Sequence, residues 1–408
     1  MQSASELPLP HLPLDAADFG VDPTPYFEAA RRQHPWLARC DVGFVVTDYQ
    51  AMKDILYQDD KLRMPTDQIV ALMGAEGTGW GRFTKEMVLA RSGVEHTRLR
   101  DSVAEAFTPR SVNRLRPLMR RVVSELLDEW APKGAFDFTE FAANFPIRVM
   151  FGLIGGSPDV LPSIQASLEV QGSSFGLDAS RMPVIEEAFL VLSDFVDGLI
   201  AERGPDGTHG DLLDDLIAAR TAGALSEVEL RHMLIFLFGA GYDTSKNLLA
   251  LILHSMLQDP QMWERCADDR PYCDKVVEEA LRHTSPSNPY RAVVEELEYR
   301  DVRFPTDSML IFPLSISGRD PAAFPRPMAF DPDRVHENRQ IAFGRGVHIC
   351  LGQFLARAQI EEGVHLIAQR LTNPRATAEP TWRPFPGVWG LKTLPIAFDP
   401  AQCRRVAE

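Results

Sequence analysis

The chain has 408 residues, 45% apolar residues and a formal net charge of −15. This length allows two or three domains or one large fold, and the acidic balance disfavours nucleic acid as a partner. Because no stretch reaches the roughly 18 apolar residues of a membrane span, and the first residues are polar and proline-rich, we expect neither a membrane anchor nor a signal peptide.

The beginning of the chain is divided by composition. Residues 1–24 are rich in proline and predict an arm on the surface ahead of the main body of the chain, residues 25–408. Pro25–Gln33 reads as a short helix, and the β-branched and aromatic run Gly43–Thr47 reads as a strand. The domain therefore opens with mixed helix and strand.

A glycine-containing segment, Leu62–Ser92, follows with little periodicity. A long irregular segment inside a compact domain is often functional, although a loop on the surface is equally compatible with the pattern. Directly after it, His96 and Arg100 are four residues apart and share one face of a predicted helix. Two donors on one face suit a dianionic ligand, and a solvated basic face is the alternative.

A basic run stands out in this acidic chain. Its members are Arg110, Arg114, Arg116, Arg120 and Arg121. One interpretation is a solvated helix face. The other is a docking patch for an acidic electron donor that is attracted by charge.

The middle of the chain reads as a series of helices, with one break at Gly204–Gly207. The longest predicted helix begins at Ser226, which can cap it, and Glu229 can complete a capping box. It can run to Gln258, since Pro260 stops it. Such a helix of about 50 Å crosses a whole domain.

The centre of this long helix carries unusual chemistry. Met233–Phe238 is apolar on all sides, which predicts burial. The small residues Gly239–Gly241 then thin the helix, and Asp243 and Thr244 follow. Burying an acid is costly unless it is paired or relays protons, so the pair indicates either a kink with a satisfied Asp–Thr pair or a proton-handling site.

Near the C-terminus, a glycine-punctuated loop delivers Cys350 to the start of a helix. Gly344 and Gly346 permit positive φ and let a flat ligand approach closely. A cysteine at a helix N-terminus favours its thiolate, which is a soft metal ligand. The five cysteines are scattered and odd in number, which indicates a reducing, cytoplasmic compartment and one special cysteine.

This loop resembles the haem-binding signature of the cytochrome P450 family, Phe-Gly-x-Gly-x-His/Arg-x-Cys-x-Gly. The matching residues are Phe343, Gly344, Gly346, His348, Cys350 and Gly352. Other family motifs occur in the same order over about Pro25–Phe398, including Ala/Gly-Gly-x-Asp/Glu-Thr at Ala240–Thr244 and Glu-x-x-Arg at Glu279–Arg282. The resemblance implies a mainly α fold with a small β-rich region and a long central helix over a haem.

The resemblance also implies roles for particular residues. Cys350 ligates the iron of haem b, and Asp243 and Thr244 are catalytic, managing oxygen and protons. The implied cofactor-binding residues are His96, Arg100, Ala240, Arg291, Phe343, Gly344, His348, Cys350 and Gly352. Glu279 and Arg282, with Arg334, form an implied structural network. As a lone Glu-x-x-Arg, the first two read as a surface ion pair.

The resemblance implies a single catalytic domain over residues 25–408, with the activity of a soluble bacterial monooxygenase that inserts one oxygen atom from O2 into an apolar small molecule. Electrons come from NAD(P)H through a ferredoxin and its reductase, and we expect a monomer without a membrane or nucleic-acid partner. The expected substrate pocket is formed by Phe236, Leu237, Gly239, Ser287, Pro289, Trp389 and Leu391.

Three alternatives stay open at the level of sequence. A peroxide-driven enzyme of the same fold has no need of the pair formed by Asp243 and Thr244, so the pair speaks against it. A biosynthetic member of the family couples or rearranges its substrate instead of hydroxylating it. A haem-binding sensor without turnover is the third alternative, because a thiolate loop alone does not prove catalysis.

Overall fold

The computed structural model describes residues 1–203, 210–335 and 337–399. The predicted break at Gly204–Gly207 and the cysteine at position 403 lie outside these residues. The described chain is mainly helical with small sheets, as the sequence predicts. The helices are α1 Ala17–Val21, α2 Thr24–Gln33, α3 Tyr49–Ile55, α4 Thr66–Leu72, α5 Gly79–Glu86, α6 Gly93–Ala104, α7 Pro109–Arg114, α8 Arg116–Trp130, α9 Phe138–Ile154, α10 Leu161–Ser173, α11 Met182–Arg203, α12 Leu212–Thr221, α13 Glu227–Met256, α14 Pro260–Asp268, α15 Arg270–His283 and α16 Gln353–Arg370.

The strands are short and form several small sheets. They are β1 Gln2–Ser3, β2 Leu37–Cys40, β3 Gly43–Val46, β4 Leu62–Arg63, β5 Ala135–Asp137, β6 Ser287–Asn288, β7 Tyr290–Val293, β8 Leu297–Tyr299, β9 Val302–Phe304, β10 Met309–Ile311, β11 Arg375–Ala376, β12 Thr381–Trp382, β13 Gly387–Val388, β14 Leu391–Thr393 and β15 Pro395–Ala397. The largest sheet has the order β2-β3-β10-β7-β4, and β1-β9-β8 and β11-β15-β5 form three-stranded sheets. β12 pairs with β14, and β13 pairs with β6.

The first residues are not an arm on the surface, so this part of the sequence prediction is wrong. β1 pairs in parallel with β9, and the side chains of Ala4, Leu12 and Phe19 are buried. These apolar residues fill two clusters beneath the small sheets. The apolar residues of this stretch are interrupted by prolines without a clear period, and the partner strand lies about 300 positions away. The division of the chain at residue 24 stays a prediction.

The segment from Leu62 to Ser92 is also more regular than predicted, because it contains β4, α4 and α5. The N-terminus of α5 is held from outside: the amides of Gly79 and Trp80 each donate to the Glu186 carboxylate of α11 at 2.8 Å. A carboxylate at this position satisfies unpaired amides and the positive end of the helix dipole. Because this cap comes from a distant helix, the local sequence gives little sign of it.

The long central helix is present as α13, with 30 residues and a length of about 45 Å. Its start has the predicted capping box, in which the Ser226 hydroxyl accepts from the Glu229 amide and the Glu229 carboxylate accepts from the Ser226 amide. The helix ends at Met256, slightly before the predicted Gln258. It packs against α9, α10, α11 and α16 within the main apolar cluster.

None of the described helices is both long and apolar enough to cross a membrane.

Glu229 also joins α13 to α6 by an ion pair with Arg98, and this hydrogen bond lowers the pKa of Glu229 to about 2. We expect Glu229→Gln to lower the free energy of unfolding by about 1 kcal/mol at neutral pH, because the ion pair with Arg98 and the negative charge at the helix N-terminus are lost while glutamine can still accept from the Ser226 amide. The folded-state pKa is depressed, so the wild-type advantage is complete above the ordinary value of 4.5 and is lost as pH falls towards 2. Urea denaturation at several pH values measures this difference.

The matched control is Glu227→Gln, which removes a charge from the same exposed first turn without removing the capping box. A pH-independent difference between wild type and Glu229→Gln, or an equal loss in the control, would contradict the assignment to the cap and the ion pair.

Candidate active site

The loop before α16 is a set of tight turns that fixes Cys350. The Cys350 amide donates to the Phe343 carbonyl at 2.8 Å, and Gly344 and Gly346 have φ of 73° and 70°. A side chain at Gly346 would also collide with the Asp59 carboxylate, which accepts from the Val347 amide at 2.9 Å. Glycine is therefore required at position 346 by both the backbone conformation and the close approach of Asp59.

Cys350 is uncovered, whereas the other described cysteines are buried. Its thiol faces open space deep within the protein, so burial raises its pKa, and the Gly352 amide and the charges of Arg100 and Arg357 only partly oppose this. In the free thiol, burial therefore opposes the thiolate that the helix N-terminus is expected to favour. A coordinated metal ion deprotonates a thiol outright, which supplies the missing stabilisation.

Four basic side chains meet beside this loop. The His96 and His348 rings are 4.4 Å apart between centroids, and Arg100 donates to the Ile349 carbonyl at 2.7 Å. Burial, followed by the charge of Arg291, lowers the pKa of His348 to about 3. Burial lowers the pKa of Arg291 to about 10. The predicted pair on α6 is thus brought together with two residues that are distant in sequence.

The Nδ1 atom of His348 is buried and makes no hydrogen bond within the described residues. A buried polar atom without a partner is costly, and clustered guanidinium groups are costly unless an anion lies between them. The cluster is therefore suited to hold a ligand with two acidic groups beside the Cys350 loop.

The centre of α13 is open on one side. No atom lies within 4 Å of a Cβ built on Gly239, and Ala240 is exposed. Gly241, by contrast, is constrained by packing, because a Cβ at this position would lie 2.6 Å from the Met150 sulfur of α9. Thr244 donates to the Ala240 carbonyl at 2.9 Å, which leaves its oxygen lone pairs free to accept a hydrogen bond.

Asp243 is buried and paired, as the sequence led us to expect of a buried acid. Its Oδ1 accepts from Arg383 at 2.7 Å and from the Asn247 side chain at 3.0 Å. Its Oδ2 is buried without a hydrogen bond and lies against Gly172 of α10, where a Cβ would collide with it. One oxygen of the carboxylate is thus fixed and the other is uncommitted.

Sequence reasoning missed Arg383 and a second buried group beside Asp243. In that group, Tyr242 and Lys246 both donate to the Glu169 carboxylate of α10. Burial opposes ionisation of Glu169, but the Lys246 charge holds its pKa below the ordinary value. One sign of the Glu169 group was available in the sequence, because Lys246 lies on a helix that is predicted to be buried and so needs an acidic partner. Nothing near Arg383 in the sequence marks it as a partner of Asp243.

Glu279, Arg282 and Arg334 come together as the resemblance implies. Glu279 and Arg282 are both 0% exposed and form a two-pronged ion pair at 2.8 and 2.6 Å. Arg282 also donates to the carbonyls of Gly318, Pro327 and Ala329, and Arg334 reaches Glu279 at 3.3 Å. The reading of this motif as a surface ion pair is therefore wrong.

The basic run divides into two parts. Arg116 donates to Glu361 at 2.8 Å and to Glu362 at 2.7 Å on α16, so it fastens α8 to α16. Arg120 reaches Glu362 at 3.3 Å but remains half exposed. Arg110, Arg114 and Arg121 are also exposed. Arg116 therefore fits neither interpretation, because it joins two helices, and for the exposed arginines the docking patch stays a prediction.

The expected pocket residues are not equivalent in the structure. Phe236, Gly239, Ser287 and Pro289 are partly exposed. Trp389 is 1% exposed, and its indole N–H donates to the Gly20 carbonyl at 2.7 Å.

Trp389 belongs to the apolar cluster that covers the N-terminal segment, and Leu237 and Leu391 are buried in the main cluster. Their assignment to the pocket stays a prediction. Aromatic and aliphatic side chains look alike in a sequence whether they face a ligand or the core.

Comparison with known proteins agrees with this geometry. The family model for cytochrome P450 matches residues 182–373. Luteothin monooxygenase from Streptomyces thioluteus is 31% identical, covering 96% of this chain and 97% of that protein. The polyketide biosynthesis cytochrome P450 PksS from Bacillus subtilis (strain 168) is 30% identical, covering 84% of each chain. The crystal structure of CalO2 superposes with a TM-score of 0.87 at 24% identity, covering 96% of this chain and 100% of that one.

The chain belongs to the cytochrome P450 family. It is an oxygen-dependent oxidoreductase of the monooxygenase class, which agrees with the predicted enzyme rather than with a sensor. Membership implies a haem cofactor. The residues present fit that group, because an uncovered thiol lies beside a basic cluster that has an unbonded imidazole nitrogen.

The buried Glu279–Arg282 pair gives a test of stability. Arg282→Lys keeps the charge but loses the planar fork that bonds Glu279 and three carbonyls, so we expect a loss of about 3 kcal/mol or more. Arg265→Lys on the partly exposed pair with Asp333 is the control and should change stability by less than about 1 kcal/mol. Chemical denaturation followed by circular dichroism measures both. Equal, small losses would show that the buried pair does not hold the fold.

Proposed function

We propose that this chain is a haem b-thiolate monooxygenase that hydroxylates an apolar small molecule of natural-product biosynthesis. The observation that carries the proposal is the uncovered Cys350 thiol beside the basic cluster of His96, Arg100, Arg291 and His348. Family membership and the names of the relatives support the reaction class.

In this proposal Cys350 is the metal ligand, and bound haem supplies the activation of O2. Arg100, Arg291 and the unbonded Nδ1 of His348 hold the acidic groups at its edge. His96 supports His348 by ring contact. Phe343, Gly344 and Gly352 shape the loop around the thiol, and Ala240 leaves space on the opposite side.

Asp243 and Thr244 manage protons in the proposed reaction. Thr244 Oγ1 is held by its bond to the Ala240 carbonyl and can accept a hydrogen bond from a water molecule in the open space. Arg383 fixes Oδ1 of Asp243, so the uncommitted Oδ2 is the atom that takes up and releases a proton. A buried, mostly dry site restricts proton supply to this route.

The substrate is proposed to lie along the open face of α13. Phe236, Gly239 and Ala240 offer apolar surface there, and Ser287 and Pro289 offer partly exposed surface from the β-rich region. The names of the relatives, luteothin monooxygenase and a polyketide biosynthesis enzyme, support a natural product as the substrate class.

The electron source is proposed to be NAD(P)H, through a ferredoxin and its reductase. The exposed arginines Arg110, Arg114, Arg120 and Arg121 supply positive charge for an acidic donor. We further propose a cytoplasmic monomer.

Cys350→Ser tests the centre of this proposal. Reduced wild-type protein with carbon monoxide should show a strongly red-shifted Soret band, which thiolate ligation produces, and Cys350→Ser should lose it. Cys40→Ser, at a buried cysteine away from the loop, should keep it. Absence of the band in the wild type, or its persistence in Cys350→Ser, would overturn the proposed ligand.

Thr244→Ala tests proton management separately. The variant should bind haem and substrate but divert most reducing equivalents to hydrogen peroxide, because the hydroxyl that would hold water for proton delivery is lost. The control is Thr221→Ala, which removes an identical bond to a carbonyl four residues earlier, here on α12. Peroxide and product formed per NAD(P)H are measured. Unchanged coupling in Thr244→Ala would remove Thr244 from the mechanism.

A further inference from the structure

A surface crevice of about 830 Å³ lies between α5, α11 and the first turns of α13. This volume falls in the range of small-molecule sites. Arg82 and Glu86 line it from α5, Phe189 and Asp197 from α11, and His232 from α13. None of its lining residues belongs to the cysteine loop, the basic cluster or the expected substrate pocket.

His232 forms a buried part of this crevice and lacks a hydrogen bond. It is 6% exposed, its ring contacts Phe83 edge-on at 5.4 Å, and its Nδ1 is unbonded although a Glu86 oxygen lies 3.5 Å away. Burial and, to a smaller extent, the charges of Arg231, Arg82 and Arg91 lower the pKa of His232 to about 4. The imidazole is therefore neutral at pH 7 and can place its proton on Nδ1 as a donor.

Two arginines of the crevice are available for a ligand. Arg82 has no ion-pair or hydrogen-bond partner among the described residues. Arg91 donates through Nε to the Glu86 carbonyl at 3.3 Å and reaches a carboxylate, that of Glu95, only at 3.8 Å. Arg231, by contrast, is bonded to Asp197 at 2.6 Å. Guanidinium groups without a close carboxylate favour a planar anionic group.

The other acids of the lining are already engaged. Asp197 is taken by Arg231, and Glu229 is bonded to Arg98 and to the Ser226 amide. Glu86 is the one carboxylate of the lining that stands next to the unbonded His232 nitrogen. The charged groups of the lining that are not engaged with another side chain at close distance are thus Arg82, Arg91 and Glu86. Their net positive charge favours a carboxylate over an amine as the ligand.

The crevice adjoins one row of residues on α13. His232, Phe236, Ala240 and Thr244 are four residues apart, so they follow one ridge of the helix. At 1.5 Å per residue, His232 and Thr244 are separated by about 18 Å along the axis. Beyond His232, none of these side chains is fully buried. This row of residues therefore leads along the helix from the crevice to the proposed reaction site.

We propose that the crevice binds the carboxylate end of an elongated apolar substrate whose other end lies at Ala240 and Thr244. Arg82 and Arg91 pair with the carboxylate, and His232 Nδ1–H donates to it. Phe236 covers the apolar middle of the chain. This inference rests on the proposed function and adds the chemistry of the remote end of the substrate.

The test is a binding titration of haem-loaded protein with straight-chain carboxylic acids of graded length, their methyl esters and the matching amines. The shift of the ferric haem from low to high spin reports a ligand at the reaction site, and calorimetry gives the total affinity. Acids long enough to span about 18 Å should bind about tenfold more tightly than their esters. Shorter acids should show no such preference.

The variant Arg82→Gln/Arg91→Gln should abolish the preference for the acid and leave ester affinity within about twofold. The control is Arg121→Gln, which breaks an equivalent pair four residues apart, Arg121 with Glu125 at 3.9 Å on α8. It should retain the full preference. Any loss of ester binding that equals the loss of acid binding in the double variant would indicate damage to the fold and overturn the assignment.

Other outcomes also overturn this inference. They are equal affinity for acid and ester in the wild type, a preference for the amine, a preference independent of chain length, and no binding of any member of the series. If any of these occurs while the carbon monoxide spectrum still shows thiolate ligation, only the carboxylate site fails. Loss of that spectrum in the wild type would instead refute the proposed function.

Discussion

The buried ion pair between Glu279 and Arg282 is the interaction on which the region before the cysteine loop depends. Arg282 bonds the carbonyls of Gly318, Pro327 and Ala329, so one guanidinium fastens α15 to a segment with little regular structure. Such a segment satisfies few of its own backbone groups, and an uncompensated charge in its place would be strongly destabilising. The position of the loop that follows is set from this anchor.

The second constraint is the concentration of positive charge beside Cys350. Arg100 and Arg291 lie near two imidazoles whose pKa values are lowered by burial, and the free thiol is disfavoured as an anion. Each of these features is costly for the protein alone. A ligand that carries acidic groups and a metal ion would compensate the clustered positive charges and stabilise the thiolate of Cys350 at the same time. Cofactor binding and the stability of this region are therefore thermodynamically linked.

The centre of α13 shows that one motif can serve two physical purposes. Gly241 is small because Met150 of α9 packs against it, whereas Gly239 and Ala240 border open space. Asp243, in the same turn, is fixed on one side by Arg383 and is uncommitted on the other. Packing and proton chemistry therefore constrain neighbouring residues independently, and a substitution in this turn need not affect both.

The sequence by itself determined the features that depend on spacing along the chain. The capping box of Ser226 and Glu229 and the glycine-shaped loop around Cys350 are local, because each bond joins residues a few positions apart. Motif order over nearly the whole chain then identified the fold. These signals need no knowledge of which distant segments meet.

Only the tertiary structure decided the pairings between distant residues. Arg383 meets Asp243 across 140 positions, Arg116 meets Glu361 and Glu362 across about 245, and Trp389 is buried against the start of the chain. The residue type alone does not reveal whether a charged side chain or an indole is solvated, paired or packed in the core. Its environment is fixed by the long-range packing of helices and sheets, which local propensity and spacing do not encode.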